Sequence, residues 1–285
     1  MPTLPEVQKL GELLKSYRRR GEASTGPRVS LQSAALSDVG LVRSNNEDSA
    51  YAGPALVAVA DGVGGHAYGE VASSVAITTL SALDGDIAGD ELVYTLANSV
   101  QAANERMGEL IAERPELHGM GTTLTALLCS TGNRLAVAHI GDSRAYRLRD
   151  GALRQLTTDH TLVQSLVSAG SISAEEAATH PRRSLILRAL DGRGAAHFDL
   201  SVLRVVPGDR YVVCSDGISD VLTDDEIAGK LGMGSPVDAV ARLAVSALEA
   251  GSSDNLTCVV ADAVEGRPEP STSPVSVGAV ADWHG

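Results

Sequence analysis

Four aspartates end apolar runs and drop into turns of small residues: Asp61 in AVADGVGG, Asp142 in AHIGDSRAY, Asp216 in VVCSDGISD and Asp254 in GSSDNLT. A fifth acidic cluster, RSNNED, holds Arg43, Glu47 and Asp48. Strands end at the edge of a sheet, so groups carried at strand ends can converge in one cleft. Carboxylates brought together repel unless a cation lies between them. Oxygen donors without thiolates or paired imidazoles favour Mg2+ or Mn2+ over zinc. Gly62, directly behind Asp61, leaves its carbonyl open to a cation because no side chain stands in the way. Any one of these aspartates alone reads as a turn former or a cap. The set reads as a divalent-metal site.

Other chemistries fit less well. The glycines at 62, 64, 65 and 69 do not make a nucleotide loop: there is no G-x-x-x-x-G-K-[ST], and G-x-G-x-x-G fails at Ala67. Cys129, Cys214 and Cys258 each sit inside an apolar run without metal-type spacing, and read as small buried residues in a reducing compartment. The formal charge of −13 argues against nucleic acid as a partner. The apolar runs fall short of the ~18 residues of a membrane span, and no secretory-signal pattern is visible. The expectation is a cytoplasmic protein without membrane insertion.

The elements that must carry these residues alternate along the chain. Strand-like runs fall near 31–37, 48–60, 122–129, 133–140, 143–149, 152–156, 197–205, 209–215 and 256–262. Asp150-Gly151 between two of them is a two-residue hairpin turn. Val71, Val75, Ala76, Thr79, Leu80 and Leu83 form one helical face, and Leu92, Val93, Leu96, Val100, Met107 and Leu110 another. Thr223 to Glu226 is a capping box, and Ser235-Pro236 opens a helix with Val237, Val240, Leu243, Ala244 and Ala247 on its face. Two helices followed by a meander of strands suit antiparallel sheets flanked by helices better than βαβ repeats. With aromatics at 3%, the core must be built from Ala, Val, Leu and Ile.

Both ends look like appendages. Residues 1–30 carry Val7, Leu10, Leu13, Leu14 and Tyr17 at helical spacing beside Arg18, Arg19 and Arg20, and read as a solvated, partly helical or disordered extension. Residues 264–285 are rich in Pro and Ser and read as a disordered tail, the lone Trp283 notwithstanding.

SDVGLVRSNNEDS, ADGVGGHAYGE, GMGTTLTAL, AHIGDSRAYRLRDG, LTTDHTLVQ, RALDG, CSDGISDVLTDDEI and SSDNLTCVVAD follow one another within residues 31–263. In that order they resemble the bacterial metal-dependent Ser/Thr phosphatases of the type-2C family. The resemblance implies an α+β fold, a four-layer α-β-β-α sandwich of two antiparallel sheets flanked by helices, with a binuclear metal centre at one end. It makes Asp61 the bridging ligand of two Mn2+ or Mg2+ ions, with the Gly62 carbonyl on one and Asp216 and Asp254 on the other. Glu47 and Asp48 would order metal-bound waters, and Arg43 would grip the substrate phosphate. Asp142, with Asp216 and Asp220, would hold a third and looser cation. Residues 167–181 occupy the position of the family's variable flap.

A histidine directly follows the metal-site Asp-Gly in animal relatives and protonates the leaving oxygen. Here Val63 stands in that place, and the general-acid role falls to His66. His160 reads as a hydrogen-bonding support and His139 as core. The implied activity is hydrolysis of phosphoserine and phosphothreonine monoesters by direct attack of a metal-bridged water, opposing a bacterial Ser/Thr kinase, by a monomer. Two alternatives use the same fold: a pseudo-phosphatase that binds phosphoproteins, and a small-molecule phosphomonoesterase.

Overall fold

A computed structural model describes residues 28–63, 68–266 and 273–283. One sheet runs in the order β1 (Val29–Asp38), β11 (Leu256–Glu265), β10 (Arg210–Cys214), β7 (Arg144–Arg149) and β8 (Ala152–Gln155). The other runs β12 (Val275–Gly278), β2 (Asp48–Ala52), β3 (Leu56–Val63), β5 (Leu124–Cys129), β6 (Arg134–Ile140) and β9 (Asp199–Arg204), with the short β4 (Gly121–Thr122) beside β3. All strand pairs among the described residues are antiparallel.

The period-2 alternation of side chains builds the layers. In β3, Val57 and Val59 face the opposite sheet, where they meet Val213 and Val259. Leu56, Ala58 and Ala60 face outward, under α1 (Gly69–Ser81) and α2 (Leu92–Glu113), which supply Val75, Leu80, Leu96 and Met107. On the far side, Val212, Cys214, Cys258 and Val260 pack against Ile218 of α5 (Asp216–Ser219), Ile227 of α6 (Asp224–Leu231), and Val240 and Leu243 of α7 (Pro236–Glu249). The result is the four-layer α-β-β-α sandwich. Two short helices, α3 (Leu162–Ser168) and α4 (Ala174–Ala178), lie in the connection from β8 to β9, where the flap was expected.

Several local readings hold. Asp150 and Gly151 both take positive φ, as a two-residue hairpin demands. Thr223 and Glu226 form a complete capping box at α6, and all three cysteines are free and buried.

Others need correction. The single strand expected over 48–60 is the hairpin of β2 and β3, broken at Gly53-Pro54. The break is held by Asp84, whose Oδ1 accepts from Ala55 N at 2.8 Å and Leu56 N at 3.0 Å. Val237 faces solvent instead of the core, since the buried stripe of α7 runs through Ala239, Val240, Leu243, Ala244 and Ala247. The tail expected to lack structure carries β12 and a 3-10 turn, Ala279–Asp282, with β12 paired to β2. That strand forms because β2 offers it an open edge, a feature invisible in local composition. Of the extension read at residues 1–30, residues 1–27 lie outside the described residues, while Val29 and Ser30 already belong to β1.

Antiparallel alternation also sorts the loops between two poles. The connections before β2, after β3, after β6, after β10 and before β11 share one pole, and they carry the acidic motifs.

Candidate active site

Asp48 opens β2 and stands directly across from Asp61 near the end of β3. Both fall on the alternation that faces the other sheet, so their side chains enter the open end of the inter-sheet layer. Ser215, on the inward alternation after β10, meets them there: its Oγ donates to Asp48 Oδ2 at 2.8 Å and accepts from Thr257 N at 3.0 Å. Asp48 N donates to Asn46 Oδ1 at 3.1 Å, which fixes the entry into β2. Gly62 follows Asp61 where a Cβ would fall 2.7 Å from Glu47 O, so only glycine lets these two backbones meet. Gly62 N donates to that same Glu47 carbonyl at 3.2 Å.

Asp142 sits in the tight connection from β6 to β7, and Asp216 is the first residue of α5, with Asp220 at its C-terminal end. Asp254 precedes β11. Arg43, in the connection from β1 to β2, donates from Nη2 to Asp254 Oδ2 at 2.7 Å. Arg43 thus pairs with Asp254, over 200 residues away, and not with Glu47, four positions on in the sequence. His66 lies outside the described residues.

The electrostatics of the cluster have one cause. Burial raises the Asp61 carboxyl well above its usual range, and repulsion from Asp48, Asp216, Asp142 and Asp254 adds to it. Asp216 is raised by burial and then by Asp142, Asp220, Asp254 and Asp48. Asp142 is pushed up to about 7 by burial, with Asp159 and Asp220 contributing. Asp48 is pushed up to about 6, again by burial first, while hydrogen bonds from Thr257 and Ser215 pull the other way. Two oxygens, Asp142 Oδ1 and Asp216 Oδ1, are buried without a hydrogen-bond partner. Among the described residues no three His, Cys, Asp or Glu side chains meet as a closed ligand cluster, as carboxylates that repel one another should not. Unsatisfied carboxylate oxygens at a pole where several carboxylates converge fit a hard divalent cation.

Sequence reasoning missed much of the scaffold behind these groups. Asn255 clamps the loop from β1 to β2: its Oδ1 accepts from Glu47 N at 2.9 Å, and its Nδ2 donates to Val39 O and Asn45 O, each at 2.9 Å. Its place beside Asp254 was the available signal. Arg144 grips Asp159 through Nε and Nη2. His160 supports the Asp142 turn as expected, accepting from Gly141 N at 3.1 Å through Nδ1. His139 is buried, as a core residue should be, with Nδ1 2.9 Å from Thr125 Oγ1.

Residues 43–260 match the protein phosphatase 2C family. The chain is 50% identical over 250 residues to the serine/threonine protein phosphatase PstP of Mycobacterium tuberculosis, covering 88% of this chain and 48% of that protein. It thus spans about half the length of this curated relative. The crystal structure of M. tuberculosis PstP superposes with a TM-score of 0.80 at 50% identity, over 83% of this chain and all of that one. The PstP catalytic domain in complex with two manganese ions gives a TM-score of 0.77 at 48% identity, over the same shares of the two chains. A match across three quarters of the sequence, joined to a shared sandwich at half identity, leaves one conclusion about descent: the chain belongs to the protein phosphatase 2C family.

Proposed function

We propose that this chain is a metal-dependent protein phosphatase that hydrolyses phosphoserine and phosphothreonine monoesters in proteins. The observation that carries this reading is the pair of buried, unpaired oxygens on Asp142 and Asp216 at the pole where Asp48, Asp61 and Asp254 also gather. The manganese bound by PstP, a half-identical relative, supports the same reading.

Asp61 would serve as the ligand shared by two Mn2+ or Mg2+ ions, Gly62 would offer its carbonyl, and Asp216 and Asp254 would complete the set. Glu47 and Asp48 would order water, and Asp142, Asp216 and Asp220 would form a third, weaker site. When bound, such cations neutralise the phosphate and lower the pKa of a water toward neutrality. The protein's own part is positioning. Ser215 holds the Asp48 carboxylate, and Asn255 fixes the backbone that delivers Glu47. Arg43, half exposed on one ion pair, is a guanidinium that a phosphate dianion can draw from Asp254 and bind through two oxygens. His66 is the candidate proton donor to the leaving oxygen.

The substrates we envisage are phosphoproteins, a Ser/Thr kinase among them, met by a single copy of the chain in the cytoplasm. Three free buried cysteines suit that reducing compartment, and no described helix is long and apolar enough to cross a membrane. The test is hydrolysis of p-nitrophenyl phosphate and a phosphothreonine peptide, with Mn2+ and with EDTA, by the wild-type chain and Asp61→Asn. Turnover should require Mn2+ and vanish in the variant. Full turnover in EDTA would refute the metal mechanism. Peptide binding without hydrolysis would mark a pseudo-phosphatase, and turnover of small esters alone a phosphomonoesterase.

A further inference from the structure

The family match ends at residue 260, yet the described chain continues with ordered structure laid on the strand that opens with Asp48. β12 pairs with β2 residue for residue, from Val275 opposite Ala52 to Gly278 opposite Ser49. The 3-10 turn after it brings Val280 and Trp283 onto the apolar layer of α1 and α2. Two routes lead from this segment to the candidate site.

The first is a chain of hydrogen bonds. Val280 N donates to Ser49 Oγ at 3.1 Å, Ser49 Oγ and Ser73 Oγ lie 2.9 Å apart, and Ser73 Oγ donates to Glu47 O at 2.6 Å. Ser73 Oγ has two carbonyl acceptors, Glu47 O at 2.6 Å and Glu70 O at 3.3 Å, and its one proton lies toward the nearer, so Ser49 donates to Ser73 and is left free to accept from Val280. Each hydroxyl then donates once and accepts once, and both serines are fully buried. The chain ends on the carbonyl that also receives Gly62 N.

The second route is steric. Gly278 takes φ +82 and packs its Cα against Asp48 O, where a Cβ would also fall 2.9 Å from Ser37 Oγ. Ser37 Oγ is bonded to Thr257 Oγ1 at 2.7 Å and accepts from Asn46 Nδ2 at 2.8 Å. Asn46 Oδ1 accepts from Asp48 N, and Thr257 N donates to Ser215 Oγ, which itself donates to Asp48 Oδ2.

We infer that residues 273–283 are a positioning strap for the candidate metal site: docked on β2, they hold Glu47, Asp48 and the Gly62 backbone through Ser49, Ser73 and Gly278. The assignment rests on the phosphatase reading above and extends the site beyond the span the family match covers. It also explains why two serines lie fully buried between a strand and a helix. They transmit the position of the strap to the loop that delivers Glu47.

Three proteins test it: the full chain, the chain ending at residue 272, and Ser49→Ala in the full chain. Mn2+ affinity is measured by calorimetry. kcat and KM for p-nitrophenyl phosphate are measured across a Mn2+ titration, at a temperature where circular dichroism shows all three folded. Both altered proteins should bind Mn2+ about tenfold more weakly, as loss of groups that orient metal ligands generally does. Saturating Mn2+ should restore kcat, and a synthetic 273–285 peptide should restore the affinity of the truncated chain. A strap that only adds stability would lower the melting temperature and leave Mn2+ affinity at the wild-type value in both, which overturns the inference. Weak binding by the truncation beside normal binding by Ser49→Ala overturns the hydrogen-bonded route. If the truncation does not fold, Ser49→Ala decides alone. If the full chain binds no Mn2+, the phosphatase reading fails, and amide exchange over residues 46–62 judges the strap. Faster exchange in Ser49→Ala then supports it and equal exchange overturns it.

Discussion

Replacing Asp142 by Asn should stabilise the protein in the presence of a chelator. Asp142 is 7% exposed, its Oδ1 has no partner, and burial with repulsion from Asp159 and Asp220 lifts its pKa from 3.8 to about 7. A carboxyl raised in the folded state imposes no penalty below the unfolded value, and stability drains away as pH climbs from there through the folded value. The full rise from 3.8 to about 7 corresponds to roughly 4 kcal/mol above neutrality. Asn keeps the shape but buries an uncharged oxygen still short of a donor, which retains about 1–2 kcal/mol of the cost. The net gain is about 2 kcal/mol, or a melting temperature about 6 °C higher for a domain of this size.

The assay is thermal unfolding by circular dichroism in EDTA at pH 7.5 and at pH 4, where the wild-type penalty is nearly gone and the variant should melt no higher than wild type. Adding Mn2+ should narrow or reverse the difference at pH 7.5, because the wild-type carboxylate then gains a cation and the amide does not. A variant that melts at or below wild type in EDTA at pH 7.5 would refute the reasoning. Asp142 would then be making a stabilising turn bond.

Ser215→Ala should cost about 3 kcal/mol in urea unfolding, since it strands a buried carboxylate oxygen and the Thr257 amide together. A loss below about 1 kcal/mol would contradict that account. Burial holds His139 down to about 4, so it stays neutral in the fold while its unfolded counterpart takes a proton near pH 6.5. Its contribution is complete above that pH and is lost as pH falls toward 4, so His139→Gln should flatten the acid side of the stability–pH curve. Parallel curves for the two proteins would rule this out. Arg43→Ala should raise KM for phosphopeptides by about tenfold with kcat little changed, as expected for a phosphate contact made already in the ground state. A fall in kcat at constant KM would remove Arg43 from that role.

Much of the architecture was legible because its causes are local. Alternation in LVAVAD assigns Val57 and Val59 to one layer and Ala58 and Ala60 to the other, whatever the rest of the chain does. The Thr223–Glu226 capping box and the Asp150-Gly151 turn act within a few residues and formed as read. Carboxylates at strand ends share a pole because antiparallel strands alternate direction, so the candidate site was readable as a set before any contact was known.

What the residues could not disclose depends on partners far along the chain. Arg43 lies four positions from Glu47 in sequence, but in a loop that spacing sets no distance, and the fold gives it Asp254. Ser49, Ser73 and Ser215 carry no signal of their own, and Asn255 only its place beside Asp254, since a serine or asparagine matters here through the buried group it meets. The last strand is the clearest case. Val275–Gly278 has neither the length nor the alternation to form a strand alone, and its ladder exists because β2 was left with an open edge and α1 with apolar surface for Val280 and Trp283. Local patterning determines which elements form and which faces they bury, while the pairing of edges and the satisfaction of buried polar groups are decided only when the layers close.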